Sequence, residues 1–158
     1  MIYSYGYRKI DGAQLDQVYF SGYLKLNKCK VIGVTSVNGS LTLKESNINS
    51  LSLRGNLSIV ESNVSGEVNA NGKLNAIKSV FEQAIILNSN RLKFTETKSR
   101  SITIKSDKMG LPQSIFLSHN SIVCGDIIFE GGNGMVHIEP GSDVQGEIHG
   151  GNIGYAHL

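Results

Sequence analysis

Residues 55–72 read GNLSIVESNVSGEVNANG. Leu57 and Ile59 alternate with polar neighbours, the small polar Ser62 follows three residues later, and Val64, Gly66, Val68 and Ala70 carry a second alternating run to Gly72. The stretch is too short to be a domain, and it is one copy of a recurring unit. Gly22, Gly39, Gly55, Gly72 and Asn90 lie 17, 16, 17 and 18 residues apart, and two positions after each stands Leu24, Leu41, Leu57, Leu74 or Leu92. Two further on come Leu26, Leu43, Ile59, Ala76 and Phe94, so each unit opens on an apolar-x-apolar pair, the period-2 mark of a short half-buried strand.

Three residues after that pair a column of small side chains, Cys29, Ser46, Ser62, Ser79 and Thr97, predicts a tight inward corner. A second apolar group completes the unit: Ile48, Leu51 and Leu53, then Val64, Val68 and Ala70, then Phe81, Ile85 and Leu87, then Ile102 and Ile104. Leu15, Val18, Phe20 and Gly22 repeat the spacing of Ile48, Leu51, Leu53 and Gly55, so a partial unit begins near Ala13. SDKMGLPQS, residues 106–114, breaks the register with Gly110 and Pro112, and Ile115 and Leu117 restore it. The reading divides the chain into a cap or short tail over 1–12, a β-helix domain over 13–151 with a loop insertion at 106–114, and a tail over 152–158.

No stretch keeps apolar residues at i, i+3, i+4 and i+7 over three turns, so helices are excluded. One unit buries too few side chains to offset its own ordering entropy. Stacked units bury both sides of every layer and pair each strand with those above and below. The expectation is therefore a single-stranded parallel β-helix, or solenoid, with coils of about 17 residues and about seven to eight coils. The usual crossover preference makes it right-handed. At about 4.8 Å per layer, eight layers give a rod roughly 35–40 Å long.

V-x-G-[DE]-[VI] occurs three times, as VSGEV at 64–68, VCGDI at 123–127 and VQGEI at 144–148, the last within the run VHIEPGSDVQGEIHGG. With the coil length, these motifs resemble the bactofilins, bacterial polymer-forming cytoskeletal proteins. The resemblance runs from Leu15 to about Gly151. It implies a right-handed β-helix that assembles end to end into nucleotide-free filaments, often at the inner face of the membrane.

Composition narrows the function classes. With 158 residues, 40% apolar and 18% charged, the chain can bury a core. It carries no apolar run near the roughly 20 residues of a membrane helix, and MIYSYGYRKI lacks the apolar core of a signal peptide, so a cytoplasmic location is expected. Cys29 and Cys124 suggest neither a disulfide nor a zinc site and are read as structural. His119, His137, His149 and His157 could suggest a metal, but His137 and His149 fall on different faces by register, and neither a metal nor a cofactor is expected. Glu67, Asp126 and Glu147 recur at equivalent outward positions as solvated charges, and Asp107 and Lys108 in the insertion have no obvious partner. No phosphate-loop, dinucleotide or triad arrangement is present, and the chain is read as noncatalytic.

Charge is segregated. Residues 1–108 hold all 15 Lys and Arg against 8 acids, net +7, while residues 109–158 hold no Lys or Arg and 5 acids, net −5. Such a rod can be steered toward an acidic surface or toward the opposite end of another copy. Lys25, Lys28 and Lys30, or Lys93, Lys98 and Arg100, could meet phosphates, but without interleaved aromatics nucleic acid is not an expected partner. Ile2, Tyr3, Tyr5 and Tyr7 before Arg8 and Lys9 form either a cap over the first coil or a weak membrane-surface anchor.

The expected function is self-assembly into a scaffold, the partner being the chain itself, with the inner membrane surface as a further implied partner. Ile148, Ile153, Tyr155 and Leu158 at the carboxyl end, and Leu15 and Val18 at the amino end, are the expected assembly residues. An adaptor or bacterial effector acting through its surface without polymerising is the alternative, and a solenoid enzyme a third.

Overall fold

The computed structural model describes residues 2–106 and 109–155 and forms an all-β parallel solenoid of about nine turns. Each turn has three faces. Face A is formed by strands such as Leu51–Arg54 and by the first part of the longer strand Val18–Asn27. Face B follows the glycine corner, as in Leu57–Val60, and face C is a two-residue strand such as Asn63–Val64. Faces A and B belong to one 15-stranded sheet, because Val18–Asn27 and Thr35–Lys44 run unbroken across the glycine corner; face C is a separate 8-stranded sheet.

In-register pairing turns the sequence repeat into columns. One column on face B stacks Leu24, Leu41, Leu57, Leu74, Leu92, Ile115 and Val136, and each is at most 2% exposed. Where Ala76 leaves space in the neighbouring column, the rings of Phe81 and Phe94 stack with centroids 5.6 Å apart and fill the layer.

The glycine corner requires glycine. Gly22, Gly39, Gly55 and Gly72 have φ between +120° and +151°, and a Cβ on any of them would lie 1.6–2.1 Å from the carbonyl oxygen of the glycine one turn earlier.

The small-residue corner follows a different rule. Lys28, Glu45, Glu61, Lys78 and Glu96 adopt φ of 48–55° just before it, which reverses the direction of the backbone N–H groups. Lys28 N donates forward to Lys44 O, whereas Lys30 N donates backward to Ala13 O. The residue between, Cys29, has no backbone acceptor in this arrangement and donates to Ser46 Oγ at 3.1 Å. Ser46 N in turn donates to Ser62 Oγ, Ser62 N to Ser79 Oγ, Ser79 N to Thr97 Oγ1, Thr97 N to Ser121 Oγ and Ser121 N to Ser142 Oγ, at 3.0–3.4 Å. The hydroxyls of Ser46, Ser62, Ser79, Thr97 and Ser121 also donate within their own coil, as Ser62 Oγ does to Val60 O at 2.8 Å. A ladder of hydroxyls thus replaces the ladder of carbonyls at this corner. Ser62→Ala leaves the Ser46 N–H buried without an acceptor and is expected to cost about 1–3 kcal/mol in chemical denaturation, more than the loss of an exposed hydroxyl.

Three expectations change. Residues 2–11, read as a cap or tail outside the repeat, form its first turn, with Ile2–Asp11 pairing in parallel with Val18–Asn27. Gly151–Tyr155 likewise pairs with Gly134–Ile138, so the strand ladder continues into the segment read as a tail. Within 106–114, pairing has already resumed at Gln113, whose Nε2 donates to Ser89 O and Lys105 O and ties the insertion back to the wall.

Candidate functional site: the two ends of the solenoid

The V-x-G-[DE]-[VI] motif forms the corner between faces C and A. A Cβ on Gly66, Gly125 or Gly146 would lie 2.4–2.8 Å from atoms of the preceding turn, so these glycines are packing requirements. Of the acids beside them, Asp126 Oδ1 accepts from Glu147 N at 2.8 Å, Glu67 Oε1 accepts from Asn69 Nδ2 at 3.2 Å, and Glu147 lies 3.4 Å from His149. No two of these carboxylates converge in a hydrogen bond. His119 lies at a corner, His137 on face B and His149 on face A, and among the described residues no group of three His, Cys, Asp or Glu could hold a metal. Cys29 is buried, Cys124 is partly exposed, and both are free thiols. Asp107, Lys108, His157 and Leu158 lie outside the described residues. No helix among the described residues is long and apolar enough to cross a membrane.

What distinguishes one part of the rod from another is how the core columns end. The column of Leu24 begins with Arg8 and finishes with Ile153, and the column of Phe20 begins with Ser4. Arg8 is exposed, as expected of a guanidinium that cannot enter an apolar column. At the opposite end the same column closes on Ile153, 45% exposed. Ile148 ends face A and Val144 ends face C, both only partly buried against the core. Ile138, Val144, Ile148, Asn152 and Ile153 line a recess of about 370 Å³, with Asp143 at its rim. Among the described residues no further strand pairs with the outer edge of Ile148–His149 or Gly151–Tyr155.

The residues expected at the interface therefore separate. Ile148 and Ile153 stand in the final layer, and Tyr155 pairs through its backbone with Ile138. Leu15 occupies the first strand of face C and is partly buried. Val18 is not at an end: it pairs with Ile2 on one side and Thr35 on the other and is 0% exposed. The sequence puts Val18 at the end only when residues 2–11 are left outside the repeat, and they form its first turn. The polar terminators Ser4 and Arg8, and the apolar Val144, were missed as end residues. The spacings Gly6 to Gly22 and Ile10 to Leu26, both equal to the repeat, carry the signal that would have found the first two.

The electrostatics follow the same axis. Arg8, Lys9, Lys25, Lys28 and Lys30 cluster in the first turns, and among the described residues only Lys28 has an ion pair there, 3.9 Å from Glu45 and largely exposed. The carboxyl end carries Glu139, Asp143 and Glu147. The chain matches no family model, no curated protein and no solved structure.

Proposed function

We propose that this chain is a noncatalytic scaffold that assembles with copies of itself through its carboxyl-terminal layer. The observation that carries the reading is the single column that runs from Arg8 to Ile153. Burying Ile153, Ile148 and Val144 against the same residues of a second copy removes apolar surface from water at about 25 cal/mol per Å². Head-to-tail stacking would instead press the Arg8 guanidinium onto Ile153 and desolvate it without a partner. The opposite net charges of residues 1–108 and 109–158 favour head-to-tail approach, but that attraction is screened beyond about 8 Å at physiological ionic strength, whereas the columns act at contact.

The smallest assembly is then a pair with carboxyl ends together, and longer polymers require the amino ends to meet as well. The likeness of the V-x-G-[DE]-[VI] motifs to the bactofilins supports self-assembly of this kind. Tyr5 and Tyr7, 85% and 73% exposed beside Arg8 and Lys9, support a weak contact with an anionic membrane surface, worth about 1 kcal/mol per basic residue.

Light scattering over a hundredfold concentration range tests this. The wild type is expected to dimerise or assemble further. Ile153→Lys is expected to weaken association at least about tenfold with an unchanged melting temperature, while Arg8→Leu, which makes the other end of the column apolar, should lengthen the assemblies. A wild type that stays monomeric throughout the range overturns the scaffold and leaves a binding module that acts through its surface.

A further inference from the structure

In a repeat whose regular positions are explained by packing, the places that depart from it carry separate information. Two departures coincide on face B. The outward column that holds Thr42, Ser58, Asn75 and Lys93 continues as Phe116 and His137, whose rings stack with centroids 4.5 Å apart at an interplanar angle of 7°. The Arg91 guanidinium lies 5.4 Å from the centroid of the Phe116 ring. In the same turn the corner that elsewhere uses one left-handed residue uses two, His119 (φ 53°) and Asn120 (φ 62°), a conformation that costs His119 more than Asn120. Such strain persists where the surroundings hold it in place.

Between the ring stack and this widened corner lies a recess of about 370 Å³. Its floor carries the hydroxyls of Thr95 and Ser118, 3.4 Å apart, and Ser118 Oγ donates to Phe94 O. Arg91, Lys93, His119 and His137 line it, and among the described residues none of these four lies within ion-pair distance of a carboxylate. A guanidinium above an aromatic ring is attracted to its face without giving up its N–H donors to an acceptor. Glu139 lines the recess as its one acid.

We infer that this recess is a binding site for a small phosphomonoester with a hydroxyl-bearing organic part, such as a sugar phosphate. A dianion matches the permanent charges of Arg91 and Lys93, with the two imidazoles as further donors. Glu139 disfavours a second phosphate and suits ligand hydroxyl groups, for which a carboxylate is an acceptor only. The volume lies at the small end of the range for ligand pockets, about 300–1,000 Å³, and so selects a compact ligand over a polymer. The site lies on a side face of the rod and does not depend on end stacking.

The test uses the full chain with ribose 5-phosphate, inorganic phosphate and ribose as probes, read by calorimetry and by the imidazole NMR signals of His119 and His137. Ribose 5-phosphate is expected to bind saturably with Kd below about 1 mM, inorganic phosphate about tenfold more weakly, and ribose not measurably. Arg91→Gln with Lys93→Gln is expected to reduce ribose 5-phosphate affinity by at least about tenfold while leaving the melting temperature unchanged. Lys25→Gln with Lys28→Gln removes the same charge on other turns and is expected to leave affinity unchanged. No saturable binding up to about 10 mM, equal losses in the two double variants, equal affinity for phosphate and ribose 5-phosphate, or displacement of the sugar phosphate by a single-stranded RNA at lower concentration would each overturn the assignment.

Discussion

Leu57→Asp is expected to be among the most damaging single substitutions in this chain. Leu57 is 2% exposed and is stacked between Leu41 and Leu74, so a carboxylate there is enclosed by aliphatic side chains of its own turn and of the turns on both sides. Neither hydrogen bonds nor a counter-charge are available to it, which places the cost at roughly 4–5 kcal/mol or more. For a chain of this length that corresponds to a melting temperature lower by about 10 °C or more. Thr42→Asp, one position along on the outward face of the previous turn, is the control. Its side chain is half-buried beside the Tyr23 hydroxyl at 3.2 Å, and it should change stability by no more than about 0.5 kcal/mol. Equal melting temperatures for the two variants would contradict the column register.

Gly55→Ala probes the other requirement of the stack, close approach of backbone to backbone. The added Cβ would sit 1.6 Å from Gly39 O and 2.6 Å from its carbonyl carbon, neither of which is a flexible side chain, at a residue with φ of +138°. The turn must move away from its neighbour, breaking hydrogen bonds on both sides of the corner. The expected loss is at least about 3 kcal/mol, backbone strain included. Gly132→Ala separates the two contributions, because Gly132 has φ of +70° and nothing within 4 Å of its ideal Cβ. Thermal melts of that variant are expected to show only the conformational part, about 1 kcal/mol. A Gly55→Ala protein no less stable than Gly132→Ala would mean that the turns are further apart at this corner than described.

The middle of the solenoid was legible in the sequence because one physical demand, an aliphatic side chain facing inward at the same point of every turn, repeats from Leu24 to Val136 without competition. At the first turn a second demand intervenes. Ser4 and Arg8 occupy column positions but face water on one side, so the hydrophobic pattern fails there although Gly6 and Ile10 keep the spacing. The serine column was legible as small residues, while its cause was not: reversal of the N–H direction after a left-handed residue is a backbone property that Lys28, Glu45 and Glu61 do not advertise by type. The asymmetry of the ends could be read only once Arg8 and Ile153 were known to share a column, a relation spanning nearly the whole chain. The recess at Phe116 was hidden for a similar reason, since Arg91, Phe116 and His137 come together only through the lengthened turn between the first two.

That lengthened turn separates chain length from position. Leu41 and Leu57 are paired neighbours 16 residues apart, yet Leu92 and Ile115 are paired neighbours at 23 and Ile115 and Val136 at 21, with the sheet unbroken throughout. Extra residues in a turn do not push the next layer upward. The molecule therefore behaves as a ruler graduated in steps of about 4.8 Å. A peptide grafted at the His119–Asn120 corner would be displayed at a height fixed by the number of turns beneath it, whatever the length of the graft.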